Sequence, residues 1–504
     1  MSSDTATSTV PHARLITILL MMSTIMQTLD NTIANVALPR IQGALSATQE
    51  QMSWVLTSYI VAAAVAIPVT GWLSGRIGRR KVLLGSIFGF TIASILCGLA
   101  QSLPQIVAFR LLQGVTGASL VPVAQATLLT ITPIEKRARA MSIWVMGVTI
   151  GPIIGPALGA WLTDQFSWRW VFYVNVPIGV ACFLGLSTYM PESVTKRSAF
   201  DFFGFATLSV AILALQLVLD RGQLKDWFNS TEICVEVVCA AVAAYLFAVH
   251  SATAREPFID LHMFKDRNFL IGNFFILIIG VLLFGPLALL PSLLQDLLNY
   301  PVLTAGMLTA SRGLGTLISA LVVKRMMEYL DGRAVVGIGF SATGFALLAM
   351  SSFSLEIHQS MVFWTGLVQG FGLGLSFVPL VSISYSTLPT RYLNEATSFF
   401  SLMRNLGSSV GIAILQVLFI RNTQVMHARL SEHVTPFAAQ LHPMPNLDST
   451  AGLVAMNGRV TEQATMMAYN NVFKLMFILS IVCVPLVLLF RKVRSATNVT
   501  VAAE

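Results

Sequence analysis

Asp30 is the only one of 23 acidic residues that falls deep inside a strongly apolar run, the stretch 15–37. A carboxylate at the centre of a spanning helix costs roughly 2.5–3.5 kcal/mol on insertion scales, so packing alone does not account for it. What a lone buried carboxylate offers is proton or ion binding. Arg110, in the apolar run 103–131, supplies a charge of the opposite sign. If the first run leads out of a membrane and the second leads back in, both residues lie roughly 10 Å below its outer face at about 1.5 Å per residue, and they can meet. A neighbouring cation favours the charged carboxylate while burial favours the neutral one. Arg110 is therefore expected to set the proton affinity of Asp30, which takes its proton from outside and couples it to substrate. The alternative is a static ion pair that fixes one helix to another.

Other polar residues surround this pair in the sequence. Ser23, Gln27, Asp30, Asn31 and Ala34 follow one another at helical spacing, and such a stripe in lipid would be costly, so it should face a cavity or a partner helix. Gln27, Asn31 and Asn35, with Gln113 near Arg110, are the expected polar lining of a substrate cavity. Arg312 and Arg404 are isolated cations within apolar runs, placed to contact an anionic substrate or an internal acid, to meet helix carbonyl ends, or to snorkel. Gly147, Gly151, Gly155 and Gly159 recur every fourth residue with Pro152 and Pro156 among them. Small residues at that spacing admit a neighbouring backbone, for tight packing or for a moving seal.

The elements that must position these residues follow from composition. With 55% hydrophobic and 11% charged residues and a mean hydropathy of +0.75, the 504-residue chain is too apolar for a soluble domain. A spanning helix needs about 20 apolar residues, and fourteen runs qualify: 15–37, 53–74, 82–101, 103–131, 139–162, 169–190, 203–219, 232–250, 269–290, 303–323, 334–352, 361–385, 396–420 and 469–490. The expected fold is an all-α polytopic membrane protein. With both termini inside, 20 of the 31 Lys and Arg fall on the inner side and seven on the outer, which places both ends in the cytoplasm. The net charge of +8 is thus a topology signal and carries no implication of nucleic-acid binding. No phosphate-binding loop, dinucleotide turn or metal-spaced His and Cys set is present, so no cofactor and no metal are expected, and the proton gradient is the energy source.

The chain also repeats itself. Gln113-Gly114 with Ser119 and Pro122 recurs as Gln369-Gly370 with Ser376 and Pro379; Gly151 and Gly155 recur as Gly407 and Gly411; Pro39 recurs as Pro291. The offsets of 252 to 257 residues indicate a duplicated six-helix unit. Expected units are 1–192, a two-helix insertion at 193–255, and 256–504 with a long outer loop at about 421–468. Asp30 aligns with Leu282 and Arg110 with Gly366, so the ionisable machinery belongs to the first half.

Several motifs carry a resemblance. The loop Gly71-Trp72-Leu73-Ser74-Gly75-Arg76-Ile77-Gly78-Arg79-Arg80 resembles the cytoplasmic loop motif of the major facilitator superfamily. The glycine-proline run 147–156 resembles that family's antiporter motif. The stretch from Leu29-Asp30 to Leu38-Pro39 is similar to the first-helix motif of its fourteen-helix drug:proton antiporters, and 219–228 and 257–269 resemble the EmrB-type branch. The resemblance implies a bacterial inner-membrane exporter of lipophilic toxic compounds, driven by proton entry and assembled with a periplasmic adaptor protein and an outer-membrane channel. The family's loop acid is Gly75 here, which shifts the expected gating to Arg76, Arg79 and Arg80. A single buried acid among several arginines favours neutral or weakly acidic lipophiles. Competing readings are an exporter of one metabolite or siderophore, and a non-transporting scaffold or sensor.

Overall fold

The computed structural model describes residues 12–47, 49–133, 137–193, 195, 199–222, 225–254, 257–434 and 449–491. Sixteen α-helices account for most of them. The first eight are α1 (Ala13–Leu45), α2 (Gln49–Ile77), α3 (Arg79–Leu99), α4 (Leu103–Gly117), α5 (Leu120–Ile131), α6 (Arg137–Gln165), α7 (Trp170–Tyr173) and α8 (Asn175–Tyr189). Two more, α9 (Phe202–Arg221) and α10 (Thr231–Thr253), precede the last six: α11 (Arg267–Ser292), α12 (Val302–Tyr329), α13 (Gly332–Met350), α14 (Gln359–Ser386), α15 (Leu393–Ser431) and α16 (Thr450–Leu486). Among the described residues thirteen segments are long and apolar enough to cross a membrane, and the apolar stretch Ile143–Pro152 of α6 stands where the fifth span is expected. The chain is a multi-pass membrane protein.

Proline and polar caps set many of the boundaries. The fourth span is split between α4 and α5 because Pro122 lacks an N–H and its ring crowds the carbonyl of Ala118. Pro177 stands in the same relation to Tyr173, where α7 gives way to α8. Asp201, Asp266 and Ser449 accept from the backbone N–H of Gly204, Phe269 and Gly452, capping α9, α11 and α16.

Helix neighbours repeat between the two halves. In the first half α1 packs on α6 and α8, α2 on α4, and α3 on α4 and α8. In the second, α11 packs on α15 and α16, α12 on α14, and α13 on α14 and α16. The halves meet where α2 and α5 lie against α15, and where α6 lies against α12 and α14. Between α6 and α14, Trp144 stacks on Phe377 with centroids 6.5 Å apart. The pair α9 and α10 sits outside this core, with α9 against both α2 and α15.

One expectation changes. The outer segment 421–468 is helical on both sides of the undescribed residues 435–448, α15 running on to Ser431 and α16 beginning at Thr450. At about 1.5 Å per residue, the 39 residues of α15 exceed a roughly 30 Å hydrocarbon core by a wide margin. Hydropathy falls at residue 420 but helix-forming residues such as Gln424, Met426, Ala428 and Leu430 continue, and His427 Nε2 lies 3.1 Å from Asn457 Oδ1 across the two arms.

The α6 glycines pack on α1. A Cβ on Gly159 would come within 2.8 Å of Ile33 Cγ1, one on Gly151 within 2.7 Å of the Leu29 nitrogen, and one on Gly155 would collide with Thr32 Oγ1. Gly155→Leu is expected to cost about 1–3 kcal/mol or more through overpacking, whereas Gly75→Leu, with open space around its Cβ, leaves stability unchanged. Thermal unfolding of the detergent-solubilised protein checks both.

Candidate functional site

Asp30 lies in a polar layer that divides the interior of the first half. An apolar cluster of Leu20, Met26, Ala63, Ile87 and Leu120 fills one side, and one of Ile33, Val55, Cys97, Ile106 and Phe172 fills the other. Between them α1, α3, α4 and α8 each present a polar residue at the same level: Asp30, Ser94, Arg110 with Gln113, and Asn175. Asp30 is 0% exposed and Arg110 1% exposed.

The carboxylate is fully engaged. Arg110 Nη1 donates to Asp30 Oδ2 at 2.5 Å, while Gln113 Nε2 and Asn175 Nδ2 donate to Oδ1 at 2.9 and 2.8 Å. Arg110 also donates to Gln113 Oε1 at 2.8 Å and to the Val55 carbonyl at 3.2 Å, and its guanidinium lies 4.3 Å from the Tyr59 ring centroid. Ser94 Oγ receives Gln113 Nε2 at 2.8 Å and Asn175 Nδ2 at 3.3 Å. Every donor set around Asp30 suits its charged form. The carboxylate in turn supplies the counter-charge for the buried Arg110 guanidinium.

α1 has three functional faces. Asp30 turns into the polar layer; Thr28 and Thr32 meet the α6 glycines; Gln27, Asn31 and Asn35 line a cavity of about 970 Å³ between the halves. Gln27 is one turn from Asp30, so the cavity approaches the carboxylate without reaching it. Pro152, Arg312 and Arg404 line the same cavity. Gln113, expected there too, is instead wholly buried, because at i+3 from Arg110 it shares the α4 face that turns toward α1 and α3. The side chain of Pro156 lies outside the described ones.

The cavity extends to the end of the bundle that carries Arg40, Asp164 and Gln295. At the opposite end the halves are closed together. Arg79 Nε donates to Asn394 Oδ1 at 2.8 Å across the seam, and Thr70 Oγ1 and Ser398 Oγ lie 2.9 Å apart. Gly71 eases that approach, since a Cβ would sit 3.0 Å from Glu395 Cα and 3.2 Å from the Asn394 carbonyl oxygen. Gly78 breaks α2 from α3 with φ +91°, a conformation other residues rarely adopt. Of the remaining loop cations, Arg80 binds the Ser187 carbonyl and lies 3.9 Å from Glu192, within the first half, and Arg76 lies 5.1 Å from the Trp72 ring centroid.

Asn175, Ser94, Tyr59, Asn394 and Ser398 are the functional residues that sequence reasoning missed. A lone amide within the apolar stretch 170–189 was the available signal for Asn175; serines and tyrosines in spans are too common to stand out. Among the described residues, no group of His, Cys, Asp and Glu is placed to hold a metal.

Comparison with known proteins agrees with this architecture. Residues 20–413 match the family described as Major Facilitator Superfamily. The chain is 37% identical to the multidrug export protein EmrB of Escherichia coli (strain K12), over 91% of each chain. It is 35% identical to the fatty acid resistance protein FarB of Neisseria gonorrhoeae, over 94% of this chain and 95% of that one. Among solved structures, the human organic anion transporter MFSD10 (TETRAN) shares the fold, with a TM-score of 0.59 and 15% identity over 93% of this chain and 100% of its own.

Asp30→Asn is expected to destabilise the protein by about 3–5 kcal/mol, because it leaves Arg110 buried without a counter-charge. The double substitution Asp30→Asn with Arg110→Gln should recover most of that loss. A thermal-unfolding cycle over the two singles and the double measures it.

Proposed function

The chain belongs to the major facilitator superfamily of transporters, and from that membership and the geometry above we propose that it is a proton-coupled exporter of lipophilic compounds working by alternating access. The observation that carries the reading is the sealed, fully ligated Asp30 one turn away from a large central cavity. Substrate enters the cavity from the cytoplasm or inner leaflet, and export returns one half against the other. Units 1–192 and 256–504 are the two bodies that rock, with α9 bracing the α2–α15 seam from outside. The proton gradient supplies the energy, with no cofactor.

Coupling follows from the charge balance. With Asp30 ionised, Arg110 is neutralised and both carboxylate oxygens are ligated. A proton arriving by way of the open cavity and Gln27 neutralises Asp30, frees Arg110 and loosens α1 from α4. Because α1 is also wedged on the α6 glycines and lines the cavity, its movement is felt by bound substrate. The closed α2–α15 seam and the open Arg40 end give the outward-facing state if the basic loops lie in the cytoplasm, as their charge bias implies.

The charge bias, with the EmrB relative, supports a bacterial inner membrane as the location. A periplasmic adaptor and an outer-membrane channel are the partners this reading assigns. Support for the adaptor comes from the α15 and α16 arms, which extend beyond the bundle and expose Leu453 and Val454.

Two measurements test the function. In proteoliposomes, drug-dependent proton movement is expected for the wild type and lost in Asp30→Asn and in its Arg110→Gln double, with substrate binding retained. Survival of coupled flux in the double would overturn the role of Asp30, and absence of flux in the wild type would overturn the exporter. Oxidative cross-linking of Thr70→Cys with Ser398→Cys is expected to stop transport and to be reversed by reductant, since it holds the seam shut.

A further inference from the structure

The two halves differ in how their buried charges are compensated. In the first half Arg110 has a carboxylate and an amide on its Nη1. In the second, Arg312 is 7% exposed and donates from Nη2 to the Leu283 carbonyl at 3.0 Å, while its Nε and Nη1 have no partner. Arg404 Nε is likewise buried without one. Both side chains line the central cavity. Among the described residues that line it, the one acid is Asp164, at the mouth and already paired with Arg40 at 2.9 Å.

A buried, partly unsatisfied guanidinium is costly, and its cheapest remedy is an anion with acceptor oxygens. Each cation flanks α11, Arg312 through Leu283 and Arg404 where its own carbonyl packs on Gly280. Between them the wall is apolar, with Leu283, Phe284 and Leu287 facing the cavity. An anionic head on the arginines and a lipophilic body along this wall would satisfy both.

We propose that Arg312 and Arg404 form a carboxylate-reading subsite in the wall of the cavity. The proposal rests on the exporter reading for its meaning, but it concerns binding alone. The same charge count disfavours dications, whose approach neither arginine tolerates. Arg312 and Arg404 align with apolar positions near residues 56 and 148 of the first half by the 256-residue repeat, so the duplication has placed the proton-reading acid in one half and the anion-reading bases in the other.

The test compares two fluorescent probes of one shape, pyrenebutyrate and its neutral amide, on the full chain in nanodiscs without a proton gradient. The wild type is expected to bind the carboxylate about tenfold or more tightly than the amide, the scale of a charge-assisted hydrogen bond. Arg312→Gln and Arg404→Gln should each remove most of that preference, read as the ratio of carboxylate to amide affinity in each folded variant, while Arg312→Lys retains part of it. If one glutamine variant fails to fold, the other and Arg312→Lys decide. Equal binding of both probes by the wild type, or an undiminished preference in folded variants, would overturn the subsite. Transport of the amide in proteoliposomes is read separately: its loss with the binding preference intact would count against the exporter and leave the subsite standing.

Discussion

The buried ion pair between Asp30 and Arg110 constrains the first half more than any other contact. Desolvating two charges costs several kcal/mol each, and mutual attraction offsets this only when the remaining hydrogen-bonding capacity is met. Gln113, Asn175, Ser94 and the Val55 carbonyl meet it, and they come from α4, α8, α3 and α2, so the pair holds five helices at one level once α1 is included. Two apolar clusters close over it on either side. Neither residue of the pair lines the central cavity, whose wall on α1 includes Gln27. In the proposed mechanism this carboxylate is the group whose charge links α1 to α4.

That constraint meets the alternating-access geometry at α1. The helix carries the acid on one face, lies against the α6 glycines on a second, and lines the cavity with Gln27, Asn31 and Asn35 on a third. The glycine run therefore serves close packing inside one half, while the seam between halves is made elsewhere, by α2 and α5 on α15 and by α6 on α12 and α14. Among the described contacts across the seam are the neutral Thr70–Ser398 hydrogen bond and the Arg79 contact to the Asn394 amide, each worth about 1–2 kcal/mol.

Much of this was legible in the sequence because lipid makes errors costly. Apolar runs near the bilayer thickness gave the spans, and Asp30 and Arg110 stood out by their insertion cost. What stayed hidden has a physical reason in each case. Gln113 read as a cavity residue because a stripe of polar residues does not say which neighbour it faces. Ser94 and Asn394 carry no composition signal, the first being a small residue in a span and the second a polar residue at a helix start. The arms of α15 and α16 escaped because a hydropathy window ends where the helix leaves the membrane, while helix propensity does not. The repeat predicted which half would carry the acid, yet the uncompensated state of Arg312 and Arg404 needed the cavity to be seen.

The most direct test of the central claim is proton release on substrate binding, measured in weakly buffered detergent solution with neutral pyrenebutyramide, which brings no proton of its own. Binding to the wild type is predicted to release protons in a pH-dependent amount, and binding to the Asp30→Asn, Arg110→Gln double variant to release none. Equal release from both proteins would contradict the account, because the coupling proton would then reside on some other group.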